Sequence, residues 1–327
     1  MTSLFARRVP VLLGAGLLAL SLLGHEGPEH EIEELSLRMA QGGETSDLLL
    51  ERAIEYRVLG KLSEASRDLQ RAVRLAPMDS LLLRELAQIQ LQRGRISEAM
   101  ITVHQALQVP GLVSGERAAV LMIRSHCHAA DGSVVRALED CSEALRWDPL
   151  LVPAYLERSA LQLRLKRHRE RIEGLEQGIK QTGAGLLVCE RIDALLDDSQ
   201  WQRSLDAIGP ELSGSRLKGS WRIRRARALL GLGRRSEAES DLQEAMTEIE
   251  SRMPREVREP SLLMDRALAQ ELLGLKEAAI KDYQTAADCG AGDEAVRALR
   301  RLRETRPSRS FWRWRHRSDS PVSRSGG

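Results

Sequence analysis

A chain of 327 residues is long enough to bury one or two hydrophobic cores without help from disulfides or metals. Only 3 % of it is aromatic, and Leu, Ala, Arg and Glu, all good helix formers, fill the sequence instead, which points away from a β-rich fold and toward an all-α one. The formal net charge of +2 selects no partner, but it is unevenly spread: residues 306–327 hold six Arg against one Asp, Arg7 and Arg8 sit near the start, and the body between is net acidic.

Residues 1–24 have the anatomy of a secretory signal: the basic pair Arg7-Arg8, then an uncharged apolar run from Val9 to Leu23. That run is about 15 residues, short of the ~20 that a spanning helix needs. Export to the periplasm or cell envelope is the expectation. Because Leu22 is not small, the cleavage site is poorly defined, and an uncleaved N-terminal anchor stays open. Residues 25–45 follow as a leader. Within it, Ile32, Leu35 and Met39 are spaced for one helical face over Glu29–Met39, which predicts a helix covering the first exposed repeat. The stretch from His25 through Glu26 to His30 is no metalloprotease box, since three residues separate Glu26 from His30 and Gly27-Pro28 breaks the helix such a box requires.

From residue 46 onward one four-point pattern recurs: a small residue, seven on a Gly, five on an Ala, seven on another Ala. It appears as Ala53, Gly60, Ala65, Ala72; as Ala87, Gly94, Ala99, Ala106; and as Ser125, Gly132, Ala137, Ala144. It returns as Ala226, Gly233, Ala238, Ala245 and as Ala267, Gly274, Ala279, Ala286. Gly ends a first helix in a left-handed turn. Ala residues seven apart share one face of a second helix and let the first approach closely. Larger residues fill the rest of the seam: Leu49, Tyr56 and Leu69, or Leu121 and Leu138. Pro77, Pro110 and Pro149 then close the second helices.

These copies resemble the tetratricopeptide repeat, a 34-residue helix–turn–helix with this order of small residues. Gly60 to Gly94 spans 34 residues, Gly94 to Gly132 spans 38, and Gly132 to Gly233 leaves 101, room for two degenerate copies over residues 152–208. The first of these puts Lys166 and Arg171 where Gly and Ala belong; the second surrounds Trp201. Gly233 to Gly274 spans 41, which predicts a second helix longer by about two turns. The expected fold is a right-handed α-solenoid of about seven helical hairpins over 46–305, closed by a capping helix at 293–305 with Ala295, Leu299 and Leu302 inward.

The resemblance also implies that first helices line a concave groove for a partner protein or peptide. On that basis the groove candidates are Leu50, Ile54, Arg57, Arg84, Gln88, Met122, His126, Ile223, Arg227 and Glu271. Members that grip a C-terminal carboxylate use Lys and Asn there; Leu50 and Ile54 stand in the first matching places, so that mode is not expected. Apolar residues with scattered Arg suit a helical or extended segment of another protein.

Other constellations carry less. His126 and His128 in His126-Cys127-His128 lie about 200° apart around a helix and cannot share a metal. Cys127, Cys141, Cys189 and Cys289 have no zinc spacing; all suit small apolar filling, and a Cys127–Cys141 disulfide is conceivable in an oxidising compartment. No nucleophile–base set or phosphate loop is visible, so no enzyme activity, cofactor or metal is expected. In the basic tail, 306–327, Phe311, Trp312, Arg313, Trp314, Arg315 and Arg317 alternate rings with guanidinium groups, the pattern of an interfacial anchor on anionic lipid. Nucleic acid would use the same groups, but export argues against it. The function expected is a protein–protein interaction scaffold in the cell envelope, with tethering to an anionic membrane surface through the tail as the alternative.

Overall fold

A computed structural model describes residues 27–253 and 259–304, and among these it contains sixteen α-helices and no strand. The signal-like segment and the tail residues Phe311 to Arg317 lie outside the described residues. Two compact units divide after Asp198.

The first unit begins with α1 (Pro28–Gly42), which buries Ile32, Leu35 and Met39, the three residues its spacing selected. Leu35 and Met39 pack with Leu49, Ala72 and Leu82 of the hairpins that follow. Those hairpins are α2 (Ser46–Val58) with α3 (Leu62–Leu75), α4 (Ser80–Gln92) with α5 (Ile96–Leu107), and α6 (Ser114–Ala130) with α7 (Val134–Trp147). Then come α8 (Val152–Arg164) with α9 (His168–Thr182), and α10 (Gly185–Asp197). The Thr45 hydroxyl accepts from Leu48 N at 3.2 Å to start α2, and the Asp79 carboxylate accepts from Leu81 N and Leu82 N to start α4. The four extra residues between Gly94 and Gly132 form no loop. They lengthen α6 by one turn at its start, to 17 residues.

The second unit holds α11 (Trp201–Gly214), α12 (Gly219–Gly231), α13 (Arg235–Arg252), α14 (Pro260–Leu272) and α15 (Lys276–Ala286). A π-turn at Ala287–Ala291 leads into α16 (Gly292–Glu304). The long second helix expected after Gly233 is α13, at 18 residues. Ala295, Leu299 and Leu302 of α16 are buried, as a terminal cap requires. Trp201 lies flat against Gly231, where a Cβ would meet the indole at 2.4 Å, so α11 and α12 approach closely only because position 231 lacks one.

The repeat pattern has the physical meaning read from it. Gly60, Gly94, Gly132, Gly233 and Gly274 end their first helices at φ between +72° and +83°. In the degenerate copies Lys166 and Ser199 take the same left-handed backbone at φ +57°, a conformation that costs a non-glycine residue about 1–2 kcal/mol. The Ala residues of the five regular copies are all buried at the seams between helices. The fold is the all-α repeat solenoid.

One tie was not foreseen. In four hairpins an Arg of the first helix reaches an Asp of the second 16 residues on: Arg52–Asp68, Arg124–Asp140, Arg225–Asp241 and Arg266–Asp282. Each Arg precedes the small residue of the pattern and each Asp follows the first Ala by three. The carboxylates are buried while the guanidinium stems cover them. The second hairpin substitutes Thr102, which donates to Gln90 Oε1 at 2.8 Å.

Candidate functional site

The first helices of the first unit carry the candidate groove residues, and two neighbouring places on them behave differently. Around α2, Leu50, Ile54 and Arg57 close with Leu69, Glu85 and Ile89 into a crevice too tight to admit water. Leu50 spends its surface on the cores of the first two hairpins. Between α4, α6 and the start of α8 the surface opens instead. A cleft of about 260 Å³ is lined by Arg84, Glu85 and Gln88, by Ala119, Met122, Ile123 and His126, and by Leu151 and Pro153. The structure thus brings together Arg84, Gln88, Met122 and His126 of the sequence-predicted set.

The electrostatics of this face differ from the expectation of scattered positive charge. Arg57 Nη1 lies 2.9 Å from Glu85 Oε2, Arg84 Nη2 lies 3.1 Å from Glu85 Oε1, and Arg84 Nη1 lies 2.8 Å from Glu116 Oε1. Arg57, Glu85, Arg84 and Glu116 form a ladder that satisfies itself along the cleft wall. Burial pushes His126 down to about 4, so its imidazole is neutral at pH 7. What the cleft presents is apolar surface with one amide and one neutral imidazole.

Glu85, Glu116, Leu151 and Pro153 were missed by sequence reasoning. Glu85 adjoins Arg84 and Glu116 opens α6, so a register search for acids on neighbouring first helices would have found the ladder; Leu151 and Pro153 enter from the N-cap and first turn of α8, where the helical periodicity of the groove faces does not reach.

In the second unit the candidates do not form an open site. Ile223 is 2 % exposed and packs in the core with Ala226, Leu242 and Ile249, a correction to its reading as groove-lining: its face of α12 meets the second helix of the hairpin. Glu271 accepts from Tyr283 Oη at 3.0 Å and from Arg301 Nη2 at 2.6 Å, which ties it to α16 rather than leaving it for a partner. Arg227 is half-buried on α12. Of the tail, Phe311, Trp312, Arg313, Trp314, Arg315 and Arg317 lie outside the described residues.

The remaining motifs are structural. His128 Nε2 faces Asp140 at 3.8 Å while His126 looks into the cleft, so the two imidazoles diverge as the helix geometry dictates. Among the described residues no group of three or more His, Cys, Asp or Glu could hold a metal. Cys127 and Cys141 are buried free thiols, both pushed up to about 12 by burial, and Cys141 Sγ lies 3.1 Å from Ser125 Oγ. They fill space between helices, and the disulfide considered for them is absent.

Residues 50–112 match the family model of the tetratricopeptide repeat. The fold is similar to that of a tetratricopeptide repeat protein from Parabacteroides merdae, with a TM-score of 0.57 and 20 % identity over 79 % of this chain and 98 % of that one. Residues 50–112 are thus similar to tetratricopeptide repeats, and most of the chain shares the fold of a tetratricopeptide-repeat protein. The C-terminal part of a repeat-containing protein from Cytophaga hutchinsonii is similar at a TM-score of 0.55 and 11 % identity, over 78 % of this chain and 98 % of that one. The Cut9–Hcn1 hetero-tetramer is similar at 0.50 and 13 %, over 90 % of this chain and 48 % of that one. Such identities speak for the fold alone. No curated protein matches the sequence. Tetratricopeptide-repeat folds generally serve as non-enzymatic scaffolds for protein–protein interaction, and what a given array binds depends on the site it carries.

Proposed function

We propose that this tetratricopeptide-repeat protein is a partner-binding scaffold of the cell envelope, and that it seats an apolar segment of another protein in the cleft between α4 and α6. The observation that carries the proposal is the cleft itself, where four groove candidates converge around Met122, Ile123 and Leu151. Because Arg84 is held by two glutamates, an ion pair with the partner would have to break an existing one; the anchor is therefore an apolar side chain, with Gln88 free to meet a backbone amide. The envelope assignment is supported by the basic pair and apolar run of residues 1–24.

The test places a photo-crosslinking residue at Gln88 and, separately, at exposed Arg67 of α3, in the cell that makes the protein. One partner captured from Gln88 and not from Arg67, and lost when Gln88→Trp fills the cleft in a chain crosslinked from Ala119, supports the reading. Equal capture from both positions moves the site elsewhere. Deleting 306–327 should leave the capture intact; loss of capture would favour the tail as the binding element.

A further inference from the structure

We infer that the first unit carries a second docking surface, at the end of the stack where one hairpin connects to the next, and that its occupant is an anionic membrane surface. Consecutive helices of this unit pack against one another through short connections, so their directions alternate. The connections at 76–79, 108–113, 148–151 and 183–184 therefore share one end of the stack, and the hairpin turns at 59–61, 93–95, 131–133 and 165–167 share the other.

Large exposed apolar residues are distributed unequally between these ends. Leu75, Met78, Val113, Trp147, Leu150 and Leu186 lie at or beside the inter-hairpin connections, each at least 44 % exposed. None lies in the four hairpin turns, and only Val135 and Leu163 come near them. Repetition in three dimensions of a residue type that water disfavours marks a contact surface rather than scattered exposure.

The charges beside these residues indicate which surface. Arg74, Arg146 and Lys180 occupy the last turns of α3, α7 and α9, each exposed and without a carboxylate partner among the described residues. Nearby acids are already engaged: Glu44 with Arg71, Glu116 with Arg84, Asp79 capping α4, and Asp148 accepting from Leu150 N at 3.0 Å. Cations in a last turn also suit the helix dipole, which accounts for the charges but not for the Trp and Leu next to them. An indole, aliphatic tips and unpaired cations repeated along one edge match the headgroup region of an anionic bilayer, where rings and alkyl groups enter the interface and cations meet phosphates. The Arg117 guanidinium lies over the Trp147 ring, 5.0 Å from its centroid.

This surface adjoins the cleft at Leu151, but none of the positions varied below lines the cleft, and it does not include the tail. Sedimentation of the full chain with phosphatidylcholine vesicles, with and without phosphatidylglycerol, tests it. The variants are Trp147→Ser with Leu150→Ser, Arg74→Glu with Arg146→Glu, and Trp312→Ala with Trp314→Ala as a tail control. All four edge positions are exposed, so far-UV spectra and melting should match the parent. Partition onto anionic vesicles should fall about tenfold in each edge variant, while capture from Gln88 stays unchanged. Edge variants that partition like the parent overturn the proposal, whether the tail control loses binding or not. So does parental self-association that the edge variants abolish, because the occupant would then be a second copy.

Discussion

Hairpins α6–α7 and α8–α9 stand next to each other in the first unit, keep the same register, and compare at four equivalent places, three of which differ. Ala137 and Ala144 of the former correspond to Arg171 and Gly178 of the latter; Asp140 corresponds to Gly174, while Arg124 and Arg158 are the same residue type. In α6–α7 the two alanines make the seam, and Arg124 holds Asp140 at 2.6 and 2.9 Å. Burial lowers the pKa of the Arg124 guanidinium, and Asp140 together with Glu143 more than reverses it. In α8–α9 the guanidinium of Arg171 fills the first alanine's place at 3 % exposure, bonded to Ser159, to Glu190 at 2.9 Å and to Asp197 at 2.8 Å. Arg158, deprived of its carboxylate, donates to the Gly174 carbonyl at 3.2 Å and lies over Tyr155; its pKa falls through burial. The seam slot thus tolerates a charge when α10 supplies carboxylates for it, and the loss of bulk at Gly178 is taken up by Tyr155 and Leu187.

The largest break in this comparison should come from Arg171→Met. It removes the cation that Glu190 and Asp197 share, and because both are about 30 % exposed, water recovers part of the loss. A destabilisation of about 3 kcal/mol is expected, read as a lowered midpoint in urea. A change below ~1 kcal/mol would mean that the network is ornamental and that the aliphatic part of Arg171 alone fills the slot.

Overpacking comes next, and it tests both hairpins at their smallest residues. A Cβ on Gly178 would sit 2.7 Å from the Tyr155 ring and 2.8 Å from Leu187, so Gly178→Ala should cost about 1–3 kcal/mol despite improving helix propensity. Ala137→Leu should cost a similar amount, since Ala137 is fully buried, whereas Ser63→Leu on exposed α3 should cost well under about 1 kcal/mol. Equal melting shifts at Ala137 and Ser63 would dissolve the seam as the basis of the repeat.

Much of this was legible in advance because it depends on glycine and alanine spacing. A left-handed turn needs Gly60 or Gly132 whatever surrounds it, and a close helix contact needs Ala65 or Ala137, so the hairpins and their caps follow from local chemistry. Two degenerate copies were expected over residues 152–208, where α8 and α9 form the first hairpin, yet nothing local says that Arg171 turns inward. That outcome rests on Glu190 and Asp197, 19 and 26 residues later. The meeting of several candidates at one cleft was legible for the same reason. Gln88, Met122 and His126 follow from helix register, but the pairing of Arg84 with Glu116 and the burial of Ile223 depend on neighbours that a single helix cannot report.

A smaller effect separates the two hairpins by pH. The folded-state pKa of His126 in α6 is about 4, below its ordinary value near 6.5. The unfolded chain therefore binds the extra proton first, and the stability contributed by a neutral His126 is complete above about pH 6.5 and lost as pH falls toward 4. His126→Gln should flatten the stability curve across that window. The shift corresponds to about 3 kcal/mol in full, and because the half-buried imidazole keeps some contact with solvent, on the order of 1–2 kcal/mol is expected at the acid end. An unchanged slope in the variant would place the acid sensitivity elsewhere.

The smallest expected effect is a repair. If Arg124–Asp140 is the regular tie and Arg158 its orphaned counterpart, Gly174→Asp should restore the missing carboxylate. A Cβ at position 174 would meet Arg158 Nη2 at 2.9 Å, but that atom ends a flexible side chain and can swing onto the new carboxylate, whereas the ring beside Gly178 cannot move. Removing a glycine from the interior of α9 contributes a few tenths of a kcal/mol on its own. A bidentate pair in a half-buried place adds about 0.5–1 kcal/mol, offset in part by desolvating the new charge. The expected result is therefore a gain of about 1 kcal/mol or less, seen as a raised melting temperature. Gly174→Ala separates the two contributions, since it keeps the propensity gain and lacks the pair. A double-mutant cycle with Arg158→Met completes the measurement: coupling between positions 158 and 174 should be favourable in the Asp variant and absent in the Ala variant. If Gly174→Asp destabilises the protein and shows no coupling to Arg158, the tie at 16-residue separation is a by-product of the regular hairpins and not a rule of this repeat.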